Sequence, residues 1–325
     1  MASTLLSQRW LSGVEVSLLN TKNSMPKSII KIAIVGDVHD LWQPIEDRLA
    51  LKALDVDLVL FVGDFGNESV EVVQAIANLD IPKAVILGNH DAWYTAYDDP
   101  KKPNNKKCPY DRAKEDRVQQ QLDILGNCHV GFSWLDFPEL NISIVGSRPF
   151  SSGSPRWKKA AFYRDRFGVN SFAESTEKIM HSVNSTRQDT IIFLGHNGPS
   201  GLGSAQDSIC GKDWKQVGGD YGDPDFAEAI AKSYQSLKKV PLVTFGHMHH
   251  HLKLNSSRTR QAIATNEMGT TFLNSACSPR IIKENEQIYR NFSVVTLNCG
   301  LVTSASLVWL DSSHNTIKET HWHTF

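Results

Sequence analysis

Ile29-Ile30-Lys31-Ile32-Ala33-Ile34-Val35-Gly36-Asp37-Val38-His39 is the stretch from which the fold is read. Its first seven residues are short, apolar and β-branched, and a glycine ends them, which is the pattern of a buried strand. Residues two apart on an extended chain point the same way. Asp37 and His39 therefore leave the strand tip together, a carboxylate and an imidazole aimed at one place. That is half of a metal site.

The other half recurs along the chain in the same form. Leu58-Val59-Leu60-Phe61-Val62 runs into Gly63-Asp64, and Ala84-Val85-Ile86-Leu87 into Gly88-Asn89-His90-Asp91. Ile191-Ile192-Phe193-Leu194 ends in Gly195-His196, and Leu242-Val243-Thr244-Phe245 in Gly246-His247-Met248-His249. Helix-compatible stretches at 43–54, 68–79, 113–125 and 225–238 lie between several apolar runs, and 141–146 reads as a further strand. Alternation of strand and helix predicts an α/β layered fold with parallel strands. Ligands in such sheets bind beyond the carboxyl ends of the strands. Segments 271–277, 292–298 and 304–311 lack intervening helices and read as antiparallel strands, expected to be absorbed by a second sheet packed on the first. The glycine-rich stretch 198–222 follows a strand with a candidate ligand and is expected to overhang the site.

Collected at the strand tips are Asp37, His39, Asp64, Asn89, His196, His247 and His249: two carboxylates, one amide oxygen and four imidazoles. Imidazole with carboxylate suits Zn, Mn, Fe or Co. Seven donors are too many for one first-row ion and suit two ions sharing a carboxylate. A pair about 3.5–4 Å apart stabilises both the attacking and the leaving oxygen of an in-line phosphoryl displacement.

Composition sets the outer bounds. The chain has 325 residues, with 34 Lys and Arg against 35 Asp and Glu, a net charge of -1. No excess of basic charge points to nucleic acid or to an anionic membrane surface, and no apolar stretch approaches the roughly 20 residues of a membrane span. Five cysteines, none in a CxxC pair, argue against a disulfide framework and for a reducing, intracellular compartment. Residues 1–28 carry one acid, Glu15, among many Ser and Thr, and no apolar core of secretory length. They read as a leader, either an organelle transit segment or a stretch without targeting function. Residues 29–323 read as a single domain.

Asp37-x-His39, Gly63-Asp64, Gly88-Asn89-His90-Asp91, Gly195-His196 and Gly246-His247-x-His249, in that order, resemble the five motifs of the calcineurin-like metallophosphoesterase superfamily. The stretches Gly63-Asp64-Phe65-Gly66-Asn67-Glu68 and Gly195-His196-Asn197-Gly198-Pro199 look like a plant and cyanobacterial branch of it, which favours the chloroplast over the cytosol as compartment. The resemblance implies a four-layer αββα sandwich of two mixed β-sheets, with the metal site at the strand C-terminal ends. It implies two divalent or trivalent transition metal ions, Mn, Fe or Zn. Asp37, His39 and His249 would hold the first, Asn89, His196 and His247 the second, and Asp64 would bridge them. A hydroxide between the metals would be the nucleophile, His90 would stabilise charge or protonate the leaving oxygen, and Asp91 would orient the His90 ring.

Departures from the relatives narrow the substrate. Asn67 stands where the protein Ser/Thr phosphatases have a second Asp, no Arg-Gly follows it, and Asp91 replaces a Glu. The expected substrate is a small phosphorylated molecule, a monoester or a diester. With the phosphate-gripping arginine of those relatives missing, Arg148, after the strand at 141–146, is the candidate for substrate contact. The alternatives are a metal-dependent nuclease and a non-catalytic binding scaffold. The first lacks a basic stripe interleaved with aromatics, and the second has usually lost ligands that this chain keeps.

Overall fold

The computed structural model describes residues 27–96 and 108–324. Most of the leader lies outside those residues. In chain order the strands are β1 (Ile29–Val35), β2 (Leu58–Phe61), β3 (Lys83–Val85), β4 (Trp134–Phe137), β5 (Ile142–Gly146), β6 (Thr190–Leu194), β7 (Lys239–Phe245), β8 (Ile263–Thr265), β9 (Thr271–Asn274), β10 (Ile281–Glu284), β11 (Gln287–Asn298), β12 (Leu301–Leu310) and β13 (Thr316–Thr324). The helices are α1 (Pro44–Ala53), α2 (Val70–Ala77), α3 (Arg117–Leu125), α4 (Ala160–Phe167), α5 (Phe172–Ser185) and α6 (Pro224–Ser233).

Two mixed sheets form. One runs β13-β12-β11-β1-β2-β3, with β10 paired to β11. In it β1, β2 and β3 are parallel, and β11 joins β1 antiparallel with Ile32 opposite Val295. The other runs β4-β5-β6-β7-β9-β8, with β5, β6, β7 and β9 parallel and the two edge strands antiparallel.

Alternation along the strands sorts the layers. On β1, Ile30, Ile32 and Ile34 face a core shared with Ile142, Ile144, Ile192, Leu194 and Leu242 of the opposite sheet. Ala33 and Val35 face the other way, onto Ala50 and Leu51 of α1, Val73 and Ile76 of α2, and Val118 of α3. The second sheet does the same: Val145, Ile191, Phe193 and Val243 meet Ile179 and Val183 of α5 and Phe226 and Ala229 of α6. A strand buried on both faces must be apolar throughout, which is why these runs lack polar alternation. The result is the expected order of layers: helices, sheet, sheet, helices.

The tail strands need a correction. They do not build the second sheet among themselves. β11 and β12 extend the first sheet beside β1, while β9 lies parallel to β7 in the second. The central strands split between the two sheets instead, because those carrying Asp37, Asp64 and Asn89 pair with one another, and those carrying His196 and His247 pair separately. Among the described residues no helix is long and apolar enough to cross a membrane.

His129, just before Val130 in the inter-sheet core, has a buried Nε2 with no hydrogen-bond partner. Burial pushes its imidazole down to about 4. An unfolded histidine titrates near 6.5, so below that pH the unfolded chain binds a proton that the folded one resists. The contribution to stability is complete above pH 6.5 and is lost as pH falls towards 4. A His129→Phe variant of the metal-free protein is expected to lose ~1–2 kcal/mol less than wild type between pH 7 and 5. Urea melts at the two pH values check this, and parallel losses would place the acid sensitivity elsewhere.

Candidate metal centre

Every motif emerges at the carboxyl end of a parallel strand: β1 for Asp37 and His39, β2 for Asp64, β3 for Asn89, β6 for His196, β7 for His247 and His249. The strand tips of both sheets converge. Glycines permit the approach. A Cβ on Gly88 would collide with Asp64 Oδ1 and His196, and one on Gly246 with Asp37 Oδ1. His39, Asp64 and His247 have left-handed backbone, with φ of 44°, 54° and 67°. Such conformations cost of order 1–3 kcal/mol each in non-glycine residues and persist where the surroundings impose them.

Three overlapping donor groups result: Asp37, His39 and His249; Asp64, His196 and His247; and His39, Asp64 and His90. Asp64 belongs to two of them. His249 Nε2 lies 3.1 Å from Asp37 Oδ2 and 3.1 Å from His39 Nε2. His196 Nδ1–H donates to the Val62 carbonyl at 2.7 Å, which leaves Nε2 as a lone pair. That lone pair faces Asn89 Oδ1 at 3.1 Å and Asp64 Oδ1 at 3.2 Å, both acceptors. Acceptors turned on one another inside a protein call for a cation among them. Asp37 Oδ2, buried without a hydrogen-bond partner, makes the same demand. The residues present therefore fit a pair of transition-metal ions.

Electrostatics prepare the carboxylates for that role. Burial alone would raise both, but the His249 ring 3.1 Å away and the other surrounding imidazoles outweigh it at Asp37 and hold its carboxyl well below the usual range. At Asp64 the same burial is opposed by His196, His90 and His39, and the carboxyl again stays low. Burial pushes the His247 imidazole down to about 3, so it is a neutral ligand.

His90 is set by residues other than the one expected. Its Nδ1 lies 2.7 Å from Asn67 Oδ1, so Nδ1–H donates to the amide oxygen. Its ring stacks on Trp93, centroids 4.4 Å apart and planes at 12°. Nε2 is left facing Asp64 Oδ2 at 4.0 Å. Asp91 does not orient the ring, which corrects the expectation. It is fully buried and turned inward, accepting N–H bonds from Asp64 (2.9 Å) and Gly88 (2.6 Å) on Oδ2 and from Phe65 (2.9 Å) on Oδ1. Successive side chains leave a backbone in different directions, and Asp91 is spent joining the β2 and β3 tips. Burial and the neighbouring Asp64 charge push its carboxyl well above the usual range, against the pull of the three donors. An Asp91→Asn variant sets an amide N–H₂ against a backbone N–H and is expected to lose about 1–3 kcal/mol. Denaturant unfolding of the metal-free protein measures the loss, and an unchanged midpoint would remove Asp91 from this anchoring role.

Arg148 also departs from expectation. Its guanidinium is buried away from the metal ligands, Nε bonded to Asp225 (2.8 Å) and Nη2 to Asp223 (2.7 Å), over the Trp157 ring. Two carboxylates at the start of α6 and the Tyr163 hydroxyl capture it, and it does not line the cavity over the metal ligands. The cavity over the metal ligands, about 840 Å³, is instead lined by Lys158, Lys253, Trp93 and, from the glycine-rich loop, Asp213 and Trp214. The loop thus reaches the site as expected. The lysines and tryptophans stand in no motif, and only Trp93, three residues after His90, had a spacing that could have betrayed it.

A family model described as calcineurin-like phosphoesterase matches residues 30–251. Among solved structures, the chain is similar to a dimetal phosphatase from Danio rerio at 11% identity and a TM-score of 0.45, over 92% of this chain and 100% of that one. A hypothetical protein from Thermus thermophilus is similar at 12% identity and a TM-score of 0.44, over 87% of this chain and 99% of that one. At such distances neither bears on substrate or metal. No curated protein matches the chain.

Proposed function

Since the chain belongs to the calcineurin-like phosphoesterase family, we propose that it hydrolyses the phosphate ester of a small molecule by in-line displacement at two metal ions. The observation that carries this is Asp64, which stands in one donor group with His39 and in another with His196 and His247, between the ligands assigned to the two ions. Asp37, His39 and His249 would hold one ion, and Asn89, His196 and His247 the other. When bound, such a pair neutralises phosphoryl oxygens and lowers the pKa of water from 15.7 towards neutrality. The chain's own residues do the rest. When protonated, His90 carries its second proton on Nε2, towards the reacting phosphoryl group, passes it to the leaving oxygen, and regains it from solvent. Lys158 and Lys253 meet the remaining negative charge at the mouth. Residues 29–323 act as one catalytic domain, and the composition of the leader supports a plastid address.

The test is a panel of phosphate monoesters and diesters offered to metal-stripped protein with Mn, Fe, Zn and Co added separately. Turnover with at least one metal, at about two equivalents bound per chain, is expected. No turnover with any of them, or saturation at a single equivalent, overturns the proposal.

A further inference from the structure

The inward face of β11, β12 and β13 is longer than the sheet that covers it. Val295, Leu297, Val302 and Ala305 on that face are buried against the second sheet. The same alternation continues to Tyr289, Leu307 and Trp309, which are only half-buried, because the second sheet has ended. Above them lies a cavity of about 610 Å³, walled on the far side by residues of the 250–262 segment. Trp322 and the exposed Ile317 complete its apolar floor, and Lys318 and Glu284 also line it. Its size falls in the range of small-molecule sites, about 300–1,000 Å³, and its character is that of their apolar part.

Its position names the occupant. His251 and Arg260 line both this groove and the metal cavity. Arg260 is immobilised, its guanidinium donating to the carbonyls of His249, Gln206, Ser208 and Gly211. His251 is exposed, so a ligand lying across it reaches both spaces. We infer that the groove binds the alcohol portion of the substrate, which is a phosphate ester of a large apolar alcohol. This rests on the phosphoesterase reading above and adds the substrate class.

Decyl phosphate and ethyl phosphate serve as probes, both below the concentration at which the longer ester aggregates. In wild type kcat/KM for the decyl ester exceeds that for the ethyl ester by about 10-fold or more, given the gain per buried methylene. Trp309→Ala brings the ratio near one, and so does Ile317→Glu, a change at an exposed position that spares the fold. Binding is read independently of turnover in the metal-free protein, as a saturable change of tryptophan fluorescence with decyl phosphate that Trp309→Ala removes. Equal kcat/KM for the two esters, a ratio that survives both substitutions, or no saturable fluorescence change overturns the inference and leaves the phosphoesterase reading standing. Saturable binding without turnover of either ester under any metal supports the groove and sinks that reading. A dimer in sedimentation that Ile317→Glu dissociates assigns the face to a second copy of the chain, and also overturns the inference.

Discussion

Asp64→Ala is expected to lower kcat on an aryl phosphate by at least about 10⁴-fold, some 5 kcal/mol of barrier. The carboxylate is buried, with Oδ1 accepting the His90 N–H at 2.8 Å and standing 3.2 Å from His196 Nε2. Its removal strips one donor from each of two metal groups and unties the backbone that carries His90. Metal analysis should show less than the wild-type content at the same free concentration. Asp64→Asn keeps the side-chain volume and one acceptor for His90, so its melting stays near wild type while its activity falls with that of the alanine variant. Wild-type activity in either variant would remove Asp64 from the bridge.

His90→Ala is expected to cost about 10²–10³-fold in kcat with metal content unchanged. The ring is fixed by the Asn67 amide oxygen on one side and by the Trp93 face on another. That orientation matters if Nε2 passes a proton to the leaving oxygen, and the dependence on the leaving group discriminates. Esters of acidic phenols need little protonation and should lose least, whereas alkyl esters should lose most. Asn67→Ala releases the ring and should follow the same trend at about a tenth of the size. A loss equal for all esters would make His90 an electrostatic residue and not an acid.

The parts legible in the sequence share one property: they depend on local pattern. A glycine after an apolar run marks a strand tip, and a tip carrying His, Asp or Asn marks a ligand, so the seven candidate ligands could be gathered without coordinates. The topology of the tail could not. Whether β11 pairs with β1 or with another tail strand is decided by which face is left uncovered, and period-two patterns are alike in both cases. Arg148 failed for a related reason, because its partners Asp223 and Asp225 lie far along the chain. Helix α5 is different. Ser171-Phe172-Ala173-Glu174 opens it, with the Ser171 hydroxyl accepting the Glu174 N–H, a start signal present in the sequence and unused in its reading. Asn67, noted only as a departure from the relatives, shows that a substitution in a motif can mark a working residue.

The place of β1 bears on how the protein is made. One edge of this strand pairs with β2, close behind it, and the other pairs with β11, near the end of the chain. During synthesis β1 therefore keeps an open edge until almost everything has left the ribosome. Its Asp37 also waits for His249, and for the His247 N–H that binds its Oδ1 at 3.0 Å. Contacts so distant in sequence close slowly. A nascent chain passes through a long interval in which Asp37, His39 and Asp64 stand as loose donors without the imidazoles carried by β6 and β7.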